Sequence, residues 1–328
     1  MRRLRGGLSA GGRGRGDRGE DSLNDSGPIE VWRGGVNAWE CDEMGHMNVR
    51  FYLARAMQGL AGAAAALGMP LAFSARAQAT LAVREHHIRY LREARAGAPL
   101  HMTAGVVGFD ETDATLLQVL THSRTGEAAA TFVTRVSHVT AGEGRAFPWP
   151  VRTAEAAARL QVQATPECGP RSVADPPRDP ARGTEAAKLA AIARGAVAAE
   201  DCDVFGRMRP EMVLARVSEG LPHLVEPLRS EAQAMAGPEV RVGGAALEMH
   251  LSYFARPRAG DLLELRSGIM ETTAKFARFR HWLTDPRTGA AWAAVEQVSL
   301  NFDLDARRSI VLSDAALERL KPYLATVA

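Results

Sequence analysis

The sequence predicts an α+β protein built from two tandem copies of one unit, each holding one helix and several long antiparallel strands. Three observations carry that prediction. A stretch of the chain recurs, each copy shows an apolar stripe at helical spacing, and each stripe gives way to strand-like alternation.

The repeat comes first because it fixes the frame. "GGVNAWECDEMGHMNVRFYLARAMQGL" from Gly34 returns as "GAVAAEDCDVFGRMRPEMVLARVSEGL" from Gly195, with Gly34, Val36, Ala38, Cys41, Asp42, Gly45, Met47, Leu53, Ala54, Arg55, Gly59 and Leu60 repeated in place. After a two-residue insertion, His87, Tyr90, Arg95, Ala96 and Gly97 meet His250, Tyr253, Arg258, Ala259 and Gly260, and Arg124-Thr125-Gly126 meets Arg287-Thr288-Gly289. Three blocks in one order and near-constant register mean that one unit was duplicated.

In the first copy Val49, Tyr52, Leu53, Ala56, Leu60, Ala63, Ala64 and Leu67 recur every three or four residues, one face of a helix whose small side chains permit close packing on a sheet. In the second, Pro210 suits the first helical position, where a missing N–H costs nothing, and Val213, Val217 and Leu221 continue the stripe. Next, Leu247, Met249, Leu251 and Tyr253 alternate with Glu248, His250 and Ser252, which predicts a strand with one face buried. Trp292, Ala294, Val298, Leu300 and Phe302 alternate with mostly polar neighbours in the same way, and the Arg-Thr-Gly triplets read as hairpin turns.

These elements divide the chain into an Arg- and Gly-rich tail expected to be disordered (1–27), a first domain (28–150), a connector (151–187), a second domain (188–304) and a C-terminal segment (305–328). The connector holds a short Ala-rich helical stretch before its Pro and Gly density breaks both periodicities. A closing helix is expected within 313–325, capped by Ser313 or Asp314. The tail lacks the apolar run of a secretory signal, and Asp17, Glu20 and Asp21 oppose a transit peptide.

Composition excludes several classes. At 328 residues, 46% hydrophobic and 24% charged, the usage is that of a globular protein with room for two cores. A net charge of +2, with the arginine excess gathered in the tail, argues against a nucleic-acid partner, and no apolar run is long enough to span a membrane. Cys41, Cys168 and Cys202 are too few and too scattered for a disulfide framework, so a cytoplasmic location is expected. His86 and His87 are adjacent in a strand and point to opposite faces, so they cannot share a metal; no metal site is expected.

The stretch "ECDEMGHMNVRFYL" resembles the Asp-x-x-Gly-His-x-Asn loop and helix start of hot-dog thioesterases of the 4-hydroxybenzoyl-CoA thioesterase type. The specific motif spans Cys41 to Asn48, while the hot-dog plan extends over roughly 28–150 and 188–304. The resemblance implies a sheet wrapped around a central helix in each copy, and copies that pair with each other as an intramolecular pseudo-dimer. It also implies hydrolysis of an acyl-CoA or acyl-carrier thioester to free acid and thiol, with no cofactor beyond the coenzyme A of the substrate. Assembly of such units into a homo-oligomer stays open.

By position, the family's aspartate, which attacks the carbonyl or activates water, is Asp42. Orphan N–H groups at the helix start, among Met47, Asn48, Val49 and Arg50, would hold the oxyanion, helped by the helix dipole. Gly45 permits a sharp turn, and His46 and Asn48 are expected to brace the loop or cap the helix. An aspartate also serves a turn merely by bonding its own backbone. The second copy keeps Asp203 but carries Arg207 and Arg209-Pro210 where the motif has His and Asn-Val, so Asp203 is expected to be a remnant.

Glu219 on the second helix, matching Gln58, is the alternative acid, because some hot-dog thioesterases use an acidic residue there; a solvated helix face explains it as well. Arg92, Arg95 and Arg258 are candidates for coenzyme A phosphates, with ordinary surface solvation as the competing explanation. The rival functions are a non-catalytic acyl-CoA binding module, suggested by the degenerate second loop, and more distantly a hot-dog hydratase, whose Asp and His motif is not found.

Overall fold

The computed structural model describes residues 26–173 and 177–326; the expected N-terminal tail, apart from its last two residues, lies outside them. The first copy runs β1 (Ile29–Gly35), α1 (Val49–Ala66), β2 (Ala79–Tyr90), β3 (Pro99–Phe109), β4 (Asp113–His122) and β5 (Ala128–Thr140). After α2 (Val151–Arg159) the second repeats the plan: β6 (Ala190–Ala196), α3 (Glu211–Gly220), α4 (Pro222–Ala236), β7 (Val242–Tyr253), β8 (Leu262–Thr272), β9 (Ala277–Thr284) and β10 (Ala291–Asp303). β11 (Arg308–Ser309) and α5 (Asp314–Leu320) close the chain, with Ser313 as the cap that accepts from the Ala316 N–H.

All strands join one antiparallel sheet in the order β1-β3-β4-β5-β2-β7-β10-β9-β8-β6, with β11 added beside β10. The two halves mirror each other about the β2–β7 seam, where His87 lies opposite its own counterpart His250. These are two hot-dog domains paired within one chain. Their helices lie on the same side of the sheet, and apolar residues from both form one continuous core. Both Arg-Thr-Gly turns link consecutive strands, with Gly126 and Gly289 at φ 75° and 73°, a conformation glycine adopts freely.

The two central helices differ. α1 is a single rod whose Leu53, Ala56, Leu60, Ala64 and Leu67 are fully buried. Burying each of its leucines contributes about 2 kcal/mol, and Gly59 and Gly62 bring it close against Val31 and Met102. In the second copy Pro222 has no N–H to offer the Ser218 carbonyl, and the helix breaks at Leu221 into α3 and α4.

The strand faces expected to meet solvent are covered instead. Glu248, His250 and Ser252 are as buried as Met249, Leu251 and Tyr253 on the helix side. The cover is the connector, which runs across the outer face of the seam. Arg171 and Ser172 N–H groups donate to Glu248 at 2.9 and 2.7 Å, and Arg178 reaches Glu85 at 3.0 Å. Beneath it, His87 Nε2 lies 2.7 Å from Glu248 Oε1 and His250 Nε2 lies 3.0 Å from Glu85 Oε2, a crossed pair repeated by the symmetry. No helix among the described residues is long and apolar enough to cross a membrane.

Candidate active site

The loop before α1 is built to hold Asp42 in one position. A 3-10 turn (Ala38–Glu40) is tied down by the buried Arg55–Glu40 ion pair, and Cys41 then bridges to Met47. Between them the Asp42 N–H donates to the His46 carbonyl at 2.8 Å and the Gly45 N–H to the Asp42 carbonyl at 2.9 Å, a reversal that puts Gly45 at φ 77°. Asp42 Oδ1 accepts from the Met44 and His46 N–H groups at 3.0 and 3.2 Å. Oδ2 has no donor among the described residues. Burial outweighs the two backbone bonds and raises the carboxyl above the usual aspartate range.

At the start of α1, Asn48 is the cap: its Oδ1 accepts from the Arg50 N–H at 3.0 Å and its carbonyl from the Phe51 N–H at 2.8 Å. The N–H of Val49 has no acceptor among the described residues. It stands at the positive end of the helix dipole, the kind of donor that stabilises an anion.

Asp42, Asn48 and Val49 line one wall of a cavity of about 180 Å³. Its other walls belong to the second copy: Val217, Leu221 and Val225 from the broken helix, and Ala246, Phe279 and Gln297 from the sheet beneath. The split between α3 and α4 accompanies this space. Ser218 Oγ reaches Asn48 Oδ1 at 3.4 Å, so the helix of one copy touches the cap of the other. Arg229 stands exposed at the rim, without an acidic partner among the described residues.

The remaining candidates do not line this cavity. His46 is buried beside Glu93, and its Nε2 lies 3.1 Å from Arg307 Nη1, clasping the loop to the turn after β10. Burial, then Arg307 and Arg95, lower its pKa, so it is a neutral brace. Met47 is core, and its N–H donates to the Ala94 carbonyl at 2.8 Å. Arg50 lies over Phe51. Glu219 is on the exposed side of α3, paired with Arg216 at 2.8 Å. Arg92 pairs loosely with Glu127 at 3.5 Å, Arg95 is exposed beside His46, and Arg258 bonds the Phe205 carbonyl at 3.4 Å. No three His, Cys, Asp or Glu side chains among the described residues converge as a metal site requires.

Asp203 sits in a copy of the same loop, its Oδ1 accepting from Phe205 and Arg207 N–H groups at 2.9 and 3.0 Å. Its Oδ2, however, is held by Arg256 at 3.1 Å. Arg207 turns to the Ala141 and Gly142 carbonyls at 2.8 and 2.7 Å. The counterpart of Val49 is Pro210, which has no N–H at all. The sequence marks Arg209-Pro210 as a departure from the motif; the structure adds the reason it matters, since the proline deletes the amide that Val49 keeps.

The thioesterase-like superfamily matches the chain over residues 36–160 and 197–320, once for each copy, and the chain belongs to that family. Among solved structures, the 12:0-ACP thioesterase from Umbellularia californica superposes with a TM-score of 0.62 at 11% identity, covering 83% of this chain and 93% of that one. An acyl-ACP thioesterase from Bacteroides thetaiotaomicron gives 0.60 at 9% identity, covering 84% and 98%. At such identities the likeness is one of fold, and it extends over both copies. No curated protein matches the sequence.

Proposed function

We propose that the chain hydrolyses acyl thioesters, carried on coenzyme A or on an acyl carrier protein, at one working site shared between its two copies. The observation that carries this reading is the juxtaposition, on one cavity, of a carboxylate with a free oxygen and a helix-start amide with no acceptor. Asp42 Oδ2 takes a proton from a water molecule, whose oxygen attacks the thioester carbonyl. The developing oxyanion is held by the Val49 N–H. Collapse breaks the carbon–sulfur bond, and the thiolate recovers the proton from Asp42, giving acid and thiol. A carboxyl raised by burial is the better base for this step. The apolar walls from the second copy receive the acyl group, and Arg229 offers a cation for a phosphate of either carrier.

The test is release of free thiol from octanoyl, dodecanoyl and benzoyl thioesters, each on coenzyme A and on carrier protein, by the wild type and by Asp42→Asn. Turnover falling about a hundredfold or more in the variant is the expected result. Saturable acyl-CoA binding by the folded wild type without thiol release would make the chain a binding module instead.

A further inference from the structure

Among the described residues Arg307 is the one residue other than glycine with a positive φ, 57°, a left-handed conformation that side chains disfavour. It ends the turn after β10, where its N–H donates to the Asp303 carbonyl at 3.0 Å. The first copy makes the same turn after β5, with the Gly144 N–H donating to the Thr140 carbonyl at 2.9 Å, and there the left-handed position holds a glycine at φ 74°. For the turn by itself, glycine at 307 would be the better residue. A strained residue persists where its side chain is needed, so the question is what the arginine reaches.

It crosses to the other copy. The guanidinium lies over the Phe302 ring, its Nη1 is 3.1 Å from His46 Nε2, and its Nη2 pairs with Glu93, whose Oε2 is itself 3.1 Å from His46 Nε2. His46 is the residue whose N–H donates to Asp42 Oδ1 and whose carbonyl accepts from the Asp42 N–H. The second loop carries the same tie built in reverse. Arg207, in the place of His46, donates to the Ala141 and Gly142 carbonyls of the turn that holds Gly144. One arginine therefore spans each loop and the opposite copy's turn, standing on the loop in one case and on the turn in the other.

Building on the thioesterase reading, we propose that Arg307 is a positioning residue for the reaction: a strut from the second copy that holds the loop carrying Asp42. It does not line the cavity, and it reaches Asp42 through His46, with Glu93 as a second foothold. Asp42 Oδ1 is fixed by two N–H groups of its own loop, so the rigidity of that loop decides where Oδ2 points. A reacting group displaced by about 1 Å can lose about a hundredfold in rate.

The test removes the strut and then rebuilds it in the other copy's form. Arg307→Gly gives the turn the residue of its counterpart, so the urea midpoint should not fall. Hydrogen exchange of the Met44 and His46 amides, both bonded to Asp42 Oδ1, should quicken about tenfold or more. For thiol release from dodecanoyl-CoA and dodecanoyl carrier protein, kcat should drop about tenfold with KM little changed, because a misplaced base slows the chemistry and leaves binding intact. The double variant His46→Arg with Arg307→Gly places an arginine on the loop, facing the Leu304 and Asp305 carbonyls as Arg207 faces Ala141 and Gly142, and should restore both readouts. Arg307→Lys is the rescue if the double variant does not fold.

Unchanged exchange and unchanged kcat in Arg307→Gly overturn the inference. So does a loss of kcat that follows a lowered urea midpoint, or one that the rescue does not recover. If the wild type releases no thiol, faster exchange in Arg307→Gly that the rescue reverses upholds the strut and sinks the hydrolase reading. Turnover by the wild type that Arg307→Gly leaves intact does the reverse, and unchanged exchange with no turnover overturns both.

Discussion

The two copies present the same loop in two chemical states. In each, an aspartate Oδ1 is fixed by two backbone N–H groups at 2.9 to 3.2 Å, and a left-handed glycine closes the turn. Two differences decide their chemistry. Where the second copy has Arg256 on its aspartate, the first has Glu93, turned away to His46 and Arg307. Where the first has the Val49 amide, the second has Pro210. The helices differ in the opposite sense: α1 lies flat and solid on its sheet, while the break between α3 and α4 leaves room beneath. On the proposed function, one copy therefore keeps the reactive loop and the other the pocket. In a symmetric pair each subunit must do both; duplication within one chain releases each half from one of the tasks.

The sharpest way to break this comparison is to give the first loop the second loop's proline. Asn48 sits at φ −63° and ψ 144°, the conformation a proline demands of its predecessor, and a proline is tolerated in the first helical turn. Val49→Pro should leave helix content by circular dichroism unchanged and lower kcat/KM for thioester hydrolysis by about a hundredfold to a thousandfold. Full activity in that variant would remove the amide from the mechanism.

The second loop is tested through stability. Arg256→Met leaves the Asp203 carboxylate without its partner in a largely buried place. We expect a loss on the order of 3 kcal/mol in urea unfolding with thiol release unchanged. A fall in turnover with little change in stability would mean that the second loop is still a working site.

Much of the architecture was legible because two signals agreed. The spacing of Leu53, Ala56, Leu60 and Leu67 marked the buried side of α1, and the repeat fixed which strands correspond. The cavity was not legible. Along β10 the alternation drew attention to Val298, Leu300 and Phe302, yet the cavity is lined mainly by the opposite set, Gln297, Ser299 and Asn301, with Leu300 beside them. Both faces of that region are covered, one by helices and one by the connector, so period two alone could not rank them. The helix break was visible only as Gly220-Leu221-Pro222, and nothing local in those letters shows that a space opens behind them.

The acid limb of the activity gives a smaller and more specific test. A base must be ionised to act, so kcat/KM should rise with pH through the pKa of Asp42, which burial holds above the ordinary 3.8. A limb at or below 3.8 would show that Asp42 is solvated, as a mere turn residue would be.

The smallest effect concerns the part where the copies stay alike. The bonds from His250 and Arg178 hold Glu85 down to about 2; at Glu248 burial opposes the charge, but the bonds from His87, Arg171 and Ser172 prevail and hold it at about 2 as well. Below the ordinary 4.5 the unfolded chain takes up these protons before the folded one does. The stabilisation is therefore complete above 4.5 and drains away as pH falls towards about 2. Glu85→Gln and Glu248→Gln should each flatten the decline of urea-unfolding stability across that window, and to a similar degree, because the crossed pairs are related by the pseudo-two-fold. A variant that flattens it on one side only would show that the connector, which bonds Glu248 through its backbone and Glu85 through a side chain, has made even the seam asymmetric.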